Sequence, residues 1–445
     1  MAFSSSALLD HLLSFPPAGR YHVALSGGLD SSVLLRACVE IRAKLPGELS
    51  AVHVDHNLQA DSAAWSEHCQ RLCSALDVSL EALSVMVDPA PGASLEAAAR
   101  DARYEAFRDL MRPGDALLLA QHADDQAETF LLQALRGAGV RGLSAMPVCA
   151  EFEGGHLLRP LLAYTRVELE AWATAQGLSW IEDPSNADRD FDRNYLRHEV
   201  MPLLKHRWPA VATTLSRAAG HSAEAERVLQ ALAAEDWQRY SSGETLPARA
   251  LEELPEPRAR QLLRHWLRWR GLPLPPSHKL SEILSQASAG EDRNPCVDWQ
   301  GAEVRRYDGQ LYALKPLPPT PQAFQLKPGV FESLGAGLGE LGLVPAAGEG
   351  VRAVLCGPMG LRVTFRSGGE SCRPAGHVHG RPLKKWLQEM RVFPWLRDRL
   401  PLVYSDAGAG GELLAVAGLF TCEPHTARAG EAGLRIEWRE HPPLH

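Results

Sequence analysis

Short apolar runs alternate with longer amphipathic stretches throughout the first half of the chain. The apolar runs predict five strands, at residues 21–25, 49–54, 80–87, 115–120 and 156–160. Apolar residues spaced three and four apart predict the helices between and after them, at residues 30–43, 63–76, 94–111, 124–136 and 165–176. Strands that alternate with helices are typical of a parallel, doubly wound α/β sheet. Ligands of such a sheet bind beyond the carboxyl ends of its strands.

The pattern changes after Arg207, and there is little strand signal before Val304. Residues 210–239 and 258–270 predict two long helices. A proline-rich boundary at residues 317–321 precedes a glycine-rich remainder with one expected helix, at residues 382–390. We therefore expect three domains, namely a doubly wound α/β domain at residues 1–209, a mainly helical middle domain at 210–316 and a small α+β domain at 323–445. Ser94 is the expected N-cap of the helix at residues 94–111.

Composition narrows the class of protein. The 445 residues are 45% hydrophobic and 22% charged, as is usual for globular chains. No apolar run approaches the roughly 18 residues of a membrane helix, and the first residues lack the basic and apolar segments of a secretory signal. The eight cysteines are scattered rather than spaced as a disulfide framework. We expect a reduced, cytoplasmic protein with no membrane partner.

Charge is distributed unevenly along the chain. The net charge is −8, yet residues 361–400 carry nine Lys and Arg against three acids, so the remainder sums to −14. A protein that coats nucleic acid would be basic overall. Any nucleic-acid partner must therefore be met by a local patch, and residues 361–400 are the candidate.

The sharpest motif is Ser26-Gly27-Gly28-Leu29-Asp30-Ser31, placed between a predicted strand and a predicted helix. Two glycines allow a tight turn and close backbone approach to a ligand. The helix start presents free N–H groups and a positive dipole end, and the serines add hydroxyl donors. No lysine follows the glycines, so the motif is not the GxxxxGK[ST] loop. It predicts a cradle for phosphate.

A second acidic group follows the fourth strand. Asp125 and Glu128 are three residues apart, so they share one helix face. At the same sheet edge this face looks toward the cleft that holds Asp30. Carboxylates beside phosphates suit Mg²⁺, which prefers oxygen ligands. A solvated acidic helix start is the alternative interpretation.

Several other residues have two interpretations. His122 either contacts phosphate or caps its helix, and Arg100 with Arg103 either holds an anion or pairs with neighbouring acids. Asn194 and Arg197 either contact a nucleotide or RNA or have a structural role.

His53 has two possible roles. It fits the wall of a nucleotide pocket better than a zinc site with Asp55, His56, Cys69 and Cys73, because the chain contains no CxxC pair. Trp266 and Trp269, together with Arg264, Arg268 and Arg270, suggest a surface for stacking and phosphate contact, although tryptophans at this spacing more often belong to the core.

The loop Ser26–Ser31 resembles the pyrophosphate loop of the ATP-pyrophosphatase superfamily. Later segments, in their order, resemble those of the bacterial tRNA(Ile)-lysidine synthetases, as does the stretch from Lys384 to Arg397. The segments that carry this resemblance are His53-Val-Asp-His-Asn57, Leu95-Glu-Ala-Ala-Ala-Arg100, His122-Ala-Asp-Asp-Gln-Ala-Glu-Thr129, Arg136-Gly-Ala-Gly139, Arg159-Pro-Leu-Leu162, Glu182-Asp-Pro-Ser-Asn186 and Arg193-Asn-Tyr-Leu-Arg197.

The resemblance implies an ATP-dependent ligase that joins L-lysine to C2 of the wobble cytidine, position 34, in the isoleucine tRNA with a CAU anticodon. The reaction would pass through an adenylated C2 oxygen and form lysidine, which changes decoding from Met to Ile. ATP as a substrate and Mg²⁺ are implied, and a homodimer is left open. The expected roles are catalysis by Asp30, Asp125 and Glu128; ATP binding by Ser26, Gly27, Gly28, Leu29, Asp30, Ser31, His53, Arg100 and His122; metal binding by Asp30 and Asp125; and tRNA binding by Arg197, Lys384, Lys385, Arg391 and Arg397.

Two other functions share some of these features. A tRNA thiolase would carry the same loop, but such enzymes commonly use paired cysteines or a cluster, and this chain lacks CxxC. A non-catalytic tRNA-binding protein with a degenerate nucleotide domain would not need Asp30, Asp125 and Glu128, which are all present.

Overall fold

The computed structural model describes residues 2–57, 62–88, 95–182, 191–241, 243–287, 295–405 and 411–445. The chain divides into two compact units, Met1–Leu229 and Gln230–His445. Each unit has its own hydrophobic core. None of the helices in the described ranges is both long enough and apolar enough to span a membrane.

The first unit alternates strands with helices, as the hydrophobic pattern predicts. Its strands are β1 Arg20–Ala24, β2 Glu48–Asp55, β3 Ser79–Ser84, β4 Ala116–Leu118, β5 Cys149–Phe152 and β6 Gly155–Leu158. Its helices are α1 Ser5–Leu13, α2 Leu29–Ile41, α3 Ser62–Ala75, α4 Leu95–Leu110, α5 Ala123–Leu135, α6 Val140–Leu143, α7 Arg166–Ala175, α8 Asp192–Tyr195 and α9 Met201–Arg207. A 3₁₀ turn covers Arg42–Lys44, and a π-helical turn, Leu196–Val200, joins α8 to α9. Helix α10, Val211–Tyr240, follows.

The six strands form one sheet in the order β3-β2-β1-β4-β6-β5. All neighbours pair in parallel except β5, which is antiparallel to β6. The predicted parallel doubly wound sheet is confirmed, with each predicted strand and helix within a few residues of its expected position. The chain order reverses at β1, which lies between β2 and β4, and ligands of such sheets bind at this reversal.

Apolar side chains explain why β1 is central. Tyr21 and Val23 are buried, and Leu25 just beyond the strand is 2% exposed. They pack with Val33 and Leu34 of α2 in the larger core cluster of this unit. This packing fixes the end of β1 and the start of α2, and therefore the loop between them. The predicted cap Ser94 lies outside the described residues, and α4 begins at Leu95.

The second unit begins with the end of α10 and combines helices with antiparallel sheets. Its further helices are α11 Ala248–Glu253, α12 Glu256–Trp269, α13 Ser277–Ala287 and α14 Leu383–Glu389, with 3₁₀ turns at Ala353–Leu355 and Arg397–Arg399. The strands are β7 Leu246–Pro247, β8 Cys296–Trp299, β9 Ala302–Tyr307, β10 Gln310–Leu314, β11 Phe324–Leu326, β12 Phe331–Ser333, β13 Glu340–Ala347, β14 Val351–Arg352, β15 Leu361–Phe365, β16 Ser371–Cys372, β17 Arg381–Pro382, β18 Pro401–Tyr404, β19 Leu413–Val416, β20 Phe420–Thr421 and β21 Ala432–Arg439.

These strands make three larger sheets, ordered β7-β10-β9-β8, β11-β15-β18-β19-β20 and β12-β13-β21-β14, with β16 and β17 as a separate pair. The first sheet packs with α11, α12 and α13, so the helical middle region also carries a small sheet. The other two sheets share one core with α14, which confirms the predicted α+β organisation. In the described part of residues 323–445, α14 is the one α-helix, as predicted. The separation of residues 210–316 from residues 323–445 as distinct domains stays a prediction.

Candidate active site

The loop after β1 is shaped by contacts among its own residues. The backbone N–H of Ser26 donates to the Ser31 hydroxyl, and the Ser31 hydroxyl donates to the Gly28 carbonyl at 3.1 Å. Gly27 has a φ of +83°, and a Cβ there would lie 3.2 Å from the Cys69 sulfur. Glycine is therefore favoured at this position, because a positive φ strains other residues and a Cβ would lie tightly against the Cys69 sulfur. The loop leads into α2 with Gly28 as an N-cap that makes no side-chain capping bond.

Asp30 lies in the first turn of α2, directly behind this loop. Its Oδ1 is buried and has no hydrogen-bond partner among the residues that the structure describes. Its Oδ2 lies 3.6 Å from Nε2 of His122. A buried carboxylate oxygen without a partner is costly, so this atom is well suited to receive a cation or a donor that arrives with a ligand.

His122 caps α5 and bridges two carboxylates. Its backbone N–H donates to Asp125 Oδ2 at 3.1 Å, and its ring Nδ1 lies 3.4 Å from the Asp125 backbone nitrogen. Nε2 lies 3.4 Å from Asp125 Oδ2. Burial alone would lower the pKa of His122, but the nearby charges of Asp125 and Asp30 raise it above its usual value. The capping role is therefore observed, and the ATP contact stays a prediction.

Asp125 and Glu128 share one face of α5, as their spacing predicts, and two arginines bind both of them. Arg193 donates to Glu128 Oε2 at 3.0 Å and to Asp125 Oδ1 at 3.1 Å. Arg197 donates to Glu128 Oε1 at 2.7 Å and to Asp125 Oδ1 at 2.8 Å. The Glu128 side chain is only 3% exposed. We call these four residues the carboxylate–arginine cluster.

The cluster shifts the ionisation of its members. Burial alone would raise the pKa of Asp125, but His122, Arg193 and Arg197 hold it below its usual value. Burial alone would lower the pKa of Arg197, but Glu128 and Asp125 raise it. Asp125 is therefore held as a carboxylate and Arg197 as a guanidinium near neutral pH. A buried set of two anions and two cations is stable only because each charge is paired and hydrogen-bonded.

Sequence reasoning missed the pairing of Arg193 and Arg197 with these acids. Four-residue spacing on one helix was the available signal, because it puts both guanidinium groups on the face that meets Asp125 and Glu128. The proposed RNA contact of Arg197 stays a prediction, and its guanidinium is engaged by the cluster in this structure.

Asp124 connects the helices around the carboxylate–arginine cluster. Its Oδ1 accepts from the Lys205 ammonium at 2.5 Å, and its Oδ2 accepts from the Arg166 backbone N–H at 2.9 Å. These bonds connect the start of α5 to α9 and to the first turn of α7. The hydrogen bonds of Asp124 therefore stabilise the packing of these helices in addition to the ion pairs of the carboxylate–arginine cluster.

His53 supports the loop from behind. Its side chain is buried, with Nδ1 2.8 Å from the Leu25 carbonyl oxygen and Nε2 3.1 Å from the Ser66 hydroxyl. Cys69 lies against the same ring, with its sulfur 3.6 Å from Nδ1. Arg100 is exposed on α4, and its guanidinium lies 5.4 Å from the centre of the Tyr104 ring. Contacts of His53 and Arg100 with ATP stay predictions.

The residues predicted to bind tRNA in the second unit lie at or near its surface. Lys384 and Lys385 are exposed on α14. Arg391 lies 3.3 Å from Asp308, and the half-buried Arg397 donates to the Val392 carbonyl at 2.9 Å. Trp386 and Trp395 are buried, which confirms the expectation that both belong to the core. The lysines are therefore better placed than Arg397 to reach a large ligand.

The donor set fits Mg²⁺ at Asp30 better than at Asp125. Within the described ranges, no group of three or more possible ligands is arranged around a common point. Magnesium commonly uses one or two carboxylates together with substrate phosphates, and the buried Asp30 Oδ1 suits that role. Both Asp125 oxygens already accept hydrogen bonds, from Arg193 and Arg197 and from His122. Its role as a metal ligand stays a prediction.

Three models of protein families match parts of this chain. A PP-loop domain model matches residues 3–204, a TilS substrate binding domain model matches residues 246–312, and a TilS substrate C-terminal domain model matches residues 361–438.

Two relatives match nearly the whole chain. A tRNA(Ile)-lysidine synthase of Alkalilimnicola ehrlichii is 43% identical and covers 99% of this chain and 98% of its own. A tRNA(Ile)-lysidine synthase of Coxiella burnetii is 38% identical, with 98% and 96% covered. Among solved structures, the U34-tRNA thiolase NcsA from Methanococcus maripaludis is similar over 49% of this chain and 76% of its own, at 13% identity and a TM-score of 0.41.

The carboxylate–arginine cluster should be a major source of stability for the first unit. Arg197→Met keeps the length of the side chain but leaves Glu128 with one cation instead of two. We expect the free energy of unfolding to fall by about 3 kcal/mol, as when a buried ion pair loses one partner. Urea unfolding followed by circular dichroism measures this.

Arg36→Met is the matched control, because Arg36 pairs with Glu40 on an exposed helix face. Removal of that pair should cost at most about 1 kcal/mol. Equal losses in the two variants would contradict the special role of the cluster.

Proposed function

The chain belongs to the tRNA(Ile)-lysidine synthase family, and we propose that it joins L-lysine to C2 of the wobble cytidine of the isoleucine tRNA with a CAU anticodon, with ATP converted to AMP and pyrophosphate. The observation that carries this proposal is the placement of Asp30, His122 and the carboxylate–arginine cluster beside the phosphate-type loop. Full-length likeness to synthases decides against the thiolase and the non-catalytic alternative.

The first step activates the base. The C2 oxygen of cytosine is a poor leaving group, so it attacks the α-phosphorus of ATP, forms an O–P bond and displaces pyrophosphate. Backbone N–H groups from Gly27 to Ser31, at the start of α2, are positioned to hold the phosphate charge. Magnesium bound by Asp30 and the phosphates would neutralise the charge of the departing pyrophosphate.

The second step forms the C–N bond. The ε-amine of lysine attacks C2, AMP leaves with the original oxygen, and the nitrogen gives up its proton. Asp125 and Glu128 are the carboxylates of this site that can bind the ammonium form of the amine and receive its proton.

The cluster also has the charges that free lysine needs. Its guanidinium groups complement the carboxylate of an amino acid, and its carboxylates complement an ammonium group. Because Arg193 and Arg197 are already paired with Asp125 and Glu128, lysine would bind by exchange of partners rather than by adding unpaired charge. This exchange avoids the cost of burying an isolated ion.

Transfer RNA would be held partly by the second unit, where Lys384, Lys385, Arg391 and Arg397 belong to the basic stretch 361–400. We place the reaction in the cytoplasm, where tRNA is modified. A homodimer stays open.

The direct test supplies ATP, isotopically labelled lysine and a tRNA transcript to the purified protein, followed by mass spectrometry of the nucleosides. We expect one lysine per tRNA at the wobble position, together with equimolar AMP and pyrophosphate. A transcript with a GAU anticodon is the control. Lack of lysine transfer to the CAU transcript, or insertion of sulfur instead, would overturn the proposal.

Asp30→Ala should abolish pyrophosphate release while the fold is kept, because the position lies in the first turn of a helix and tolerates alanine. The measurement is pyrophosphate release with tRNA and ATP, beside a thermal melt. Asp10→Ala, an exposed acid on α1, serves as the control and should behave as wild type. Pyrophosphate release by Asp30→Ala near the wild-type rate would contradict the assignment.

Asp125→Asn and Glu128→Gln should each slow lysine transfer by about 10²-fold or more, because each removes a charge that binds lysine or accepts its proton. The KM for lysine should rise in at least one variant, whereas the KM for ATP changes little. If both variants modify tRNA within a few-fold of wild type, the acids have only a structural role.

The double variant Lys384→Ala/Lys385→Ala should bind tRNA more weakly and with a shallower salt dependence. Each lost phosphate contact reduces the slope of log K against log salt by roughly 0.7–0.9. Filter binding at several salt concentrations measures both quantities, and ATP affinity should not change. Lys315→Ala/Lys327→Ala, which removes two exposed lysines of the same unit, is the matched control. Equal behaviour of the two double variants would move the RNA surface elsewhere.

A further inference from the structure

Helix α12 carries one tryptophan in the core and one at the surface. Trp266 is fully buried, and its indole N–H donates to the Glu244 carbonyl at 3.0 Å. Trp269, three residues later, is 53% exposed. Packing therefore explains Trp266 but leaves half of the Trp269 surface in solvent, and burial in the core cannot be the reason for a tryptophan at that position.

Trp269 is part of a group of aromatic rings from two helices. Its ring centre lies 5.3 Å from that of Trp237 on α10, with the planes tilted by 42°. The centre of the His265 ring lies 6.3 Å from that of Trp237, with the planes tilted by 47°. Both neighbours are half-buried. We call Trp237, His265 and Trp269 the aromatic platform. The partly buried rings hold the exposed one in place, which lowers the entropy lost when a flat ligand stacks on it.

Helix α12 brings a high density of arginines beside the platform. Residues 258–270 contain five arginines and no acid, in a chain whose net charge is −8. Arg258, Arg260 and Arg270 pair with Asp236, Glu256 and Glu244, respectively. Arg264 and Arg268, four residues apart on the helix, come from the same turns as His265 and Trp269.

His265 is suited to stacking as a neutral ring. Burial and the nearby charge of Arg268 both lower the pKa of His265 below its usual value. The ring is therefore uncharged near neutral pH. A neutral imidazole beside two indoles gives an uncharged π surface, and the arginines at its border supply the positive charge that a polyanion requires.

We propose that Trp237, His265 and Trp269 form a stacking platform for an unpaired base of the tRNA substrate. Aromatic rings bordered by arginines bind single-stranded nucleotides through base stacking and phosphate attraction together. This inference rests on the proposed function and deepens it, because it assigns a second contact with the RNA, made by α10 and α12 and separate from Lys384 and Lys385. These residues bind tRNA and have no part in the chemistry.

The test compares Trp269→Ala with Trp269→Phe in the full-length protein. Loss of one stacked base should raise the Kd and the KM for the tRNA transcript about tenfold in the alanine variant. The phenylalanine variant should stay within about threefold of wild type, because it keeps a ring that can stack. At saturating tRNA, kcat should be unchanged, and so should the slope of log Kd against log salt, because no phosphate contact is removed.

Leu274→Ala, which removes an exposed apolar side chain from the same unit, is the matched control and should bind tRNA as wild type does. Thermal melts verify that each variant is folded. Lysine transfer by the wild-type protein tests the proposed function separately, so a failure of the platform would leave that activity intact.

Three results would overturn the platform. One is an unchanged Kd in Trp269→Ala, and another is an equal loss in the alanine and phenylalanine variants. The third is a change from dimer to monomer on gel filtration of Trp269→Ala, which would assign the exposed ring to contact between two copies of the chain.

Discussion

The arrangement of the first unit depends on the pairing of two buried carboxylates with two guanidinium groups. Asp125 and Glu128 are carried by α5, and Arg193 and Arg197 come from the helical segment that begins with α8. Without the arginines, two anions would lie side by side in a site with little access to water, and burial would favour their neutral forms. The arginines and His122 hold the pKa of Asp125 below its usual value, so the proposed amine chemistry would meet a carboxylate there.

The strand order of the sheet places the carboxylate–arginine cluster beside the loop that follows β1. Because β1 and β4 are neighbours at the point where the strand order reverses, the loops that follow them open into the same cleft. The loop after β1 presents Asp30, and the residues after β4 present His122 and Asp125. The 3.6 Å separation of His122 Nε2 from Asp30 Oδ2 shows that side chains more than ninety positions apart in sequence meet there. The residues proposed to bind phosphate and those proposed to bind the amine are thereby brought to adjoining parts of one site.

Much of this could be predicted from the sequence, and the remainder depends on tertiary contacts. Strand β4 is a buried apolar run, and β1 and β2 each combine buried apolar residues with one buried histidine, because sheet strands of this kind are covered on both faces. Strands β5, β7 and β8 have only two to four residues, so the hydrophobic pattern does not predict them. The spacing of Asp125 and Glu128 predicts that they share one face of a helix. The sequence around them does not indicate which cationic side chains pair with them, because that pairing is a tertiary contact. The exposure of Trp269 likewise depends on how α12 packs against α10.

The π-helical turn between α8 and α9 sets the rotational register of the segment that carries the arginines. An α-helix advances by about 100° for each residue, and a π turn accommodates an additional residue without ending the helix. Upstream of this turn Arg193 faces the acids, and downstream of it Lys205 reaches Asp124. Deletion of Val200, the last residue of the turn, would rotate α9 by about 100° relative to α8. Asp124 and Glu128 could then no longer hold their cations together, although every charged side chain would still be present.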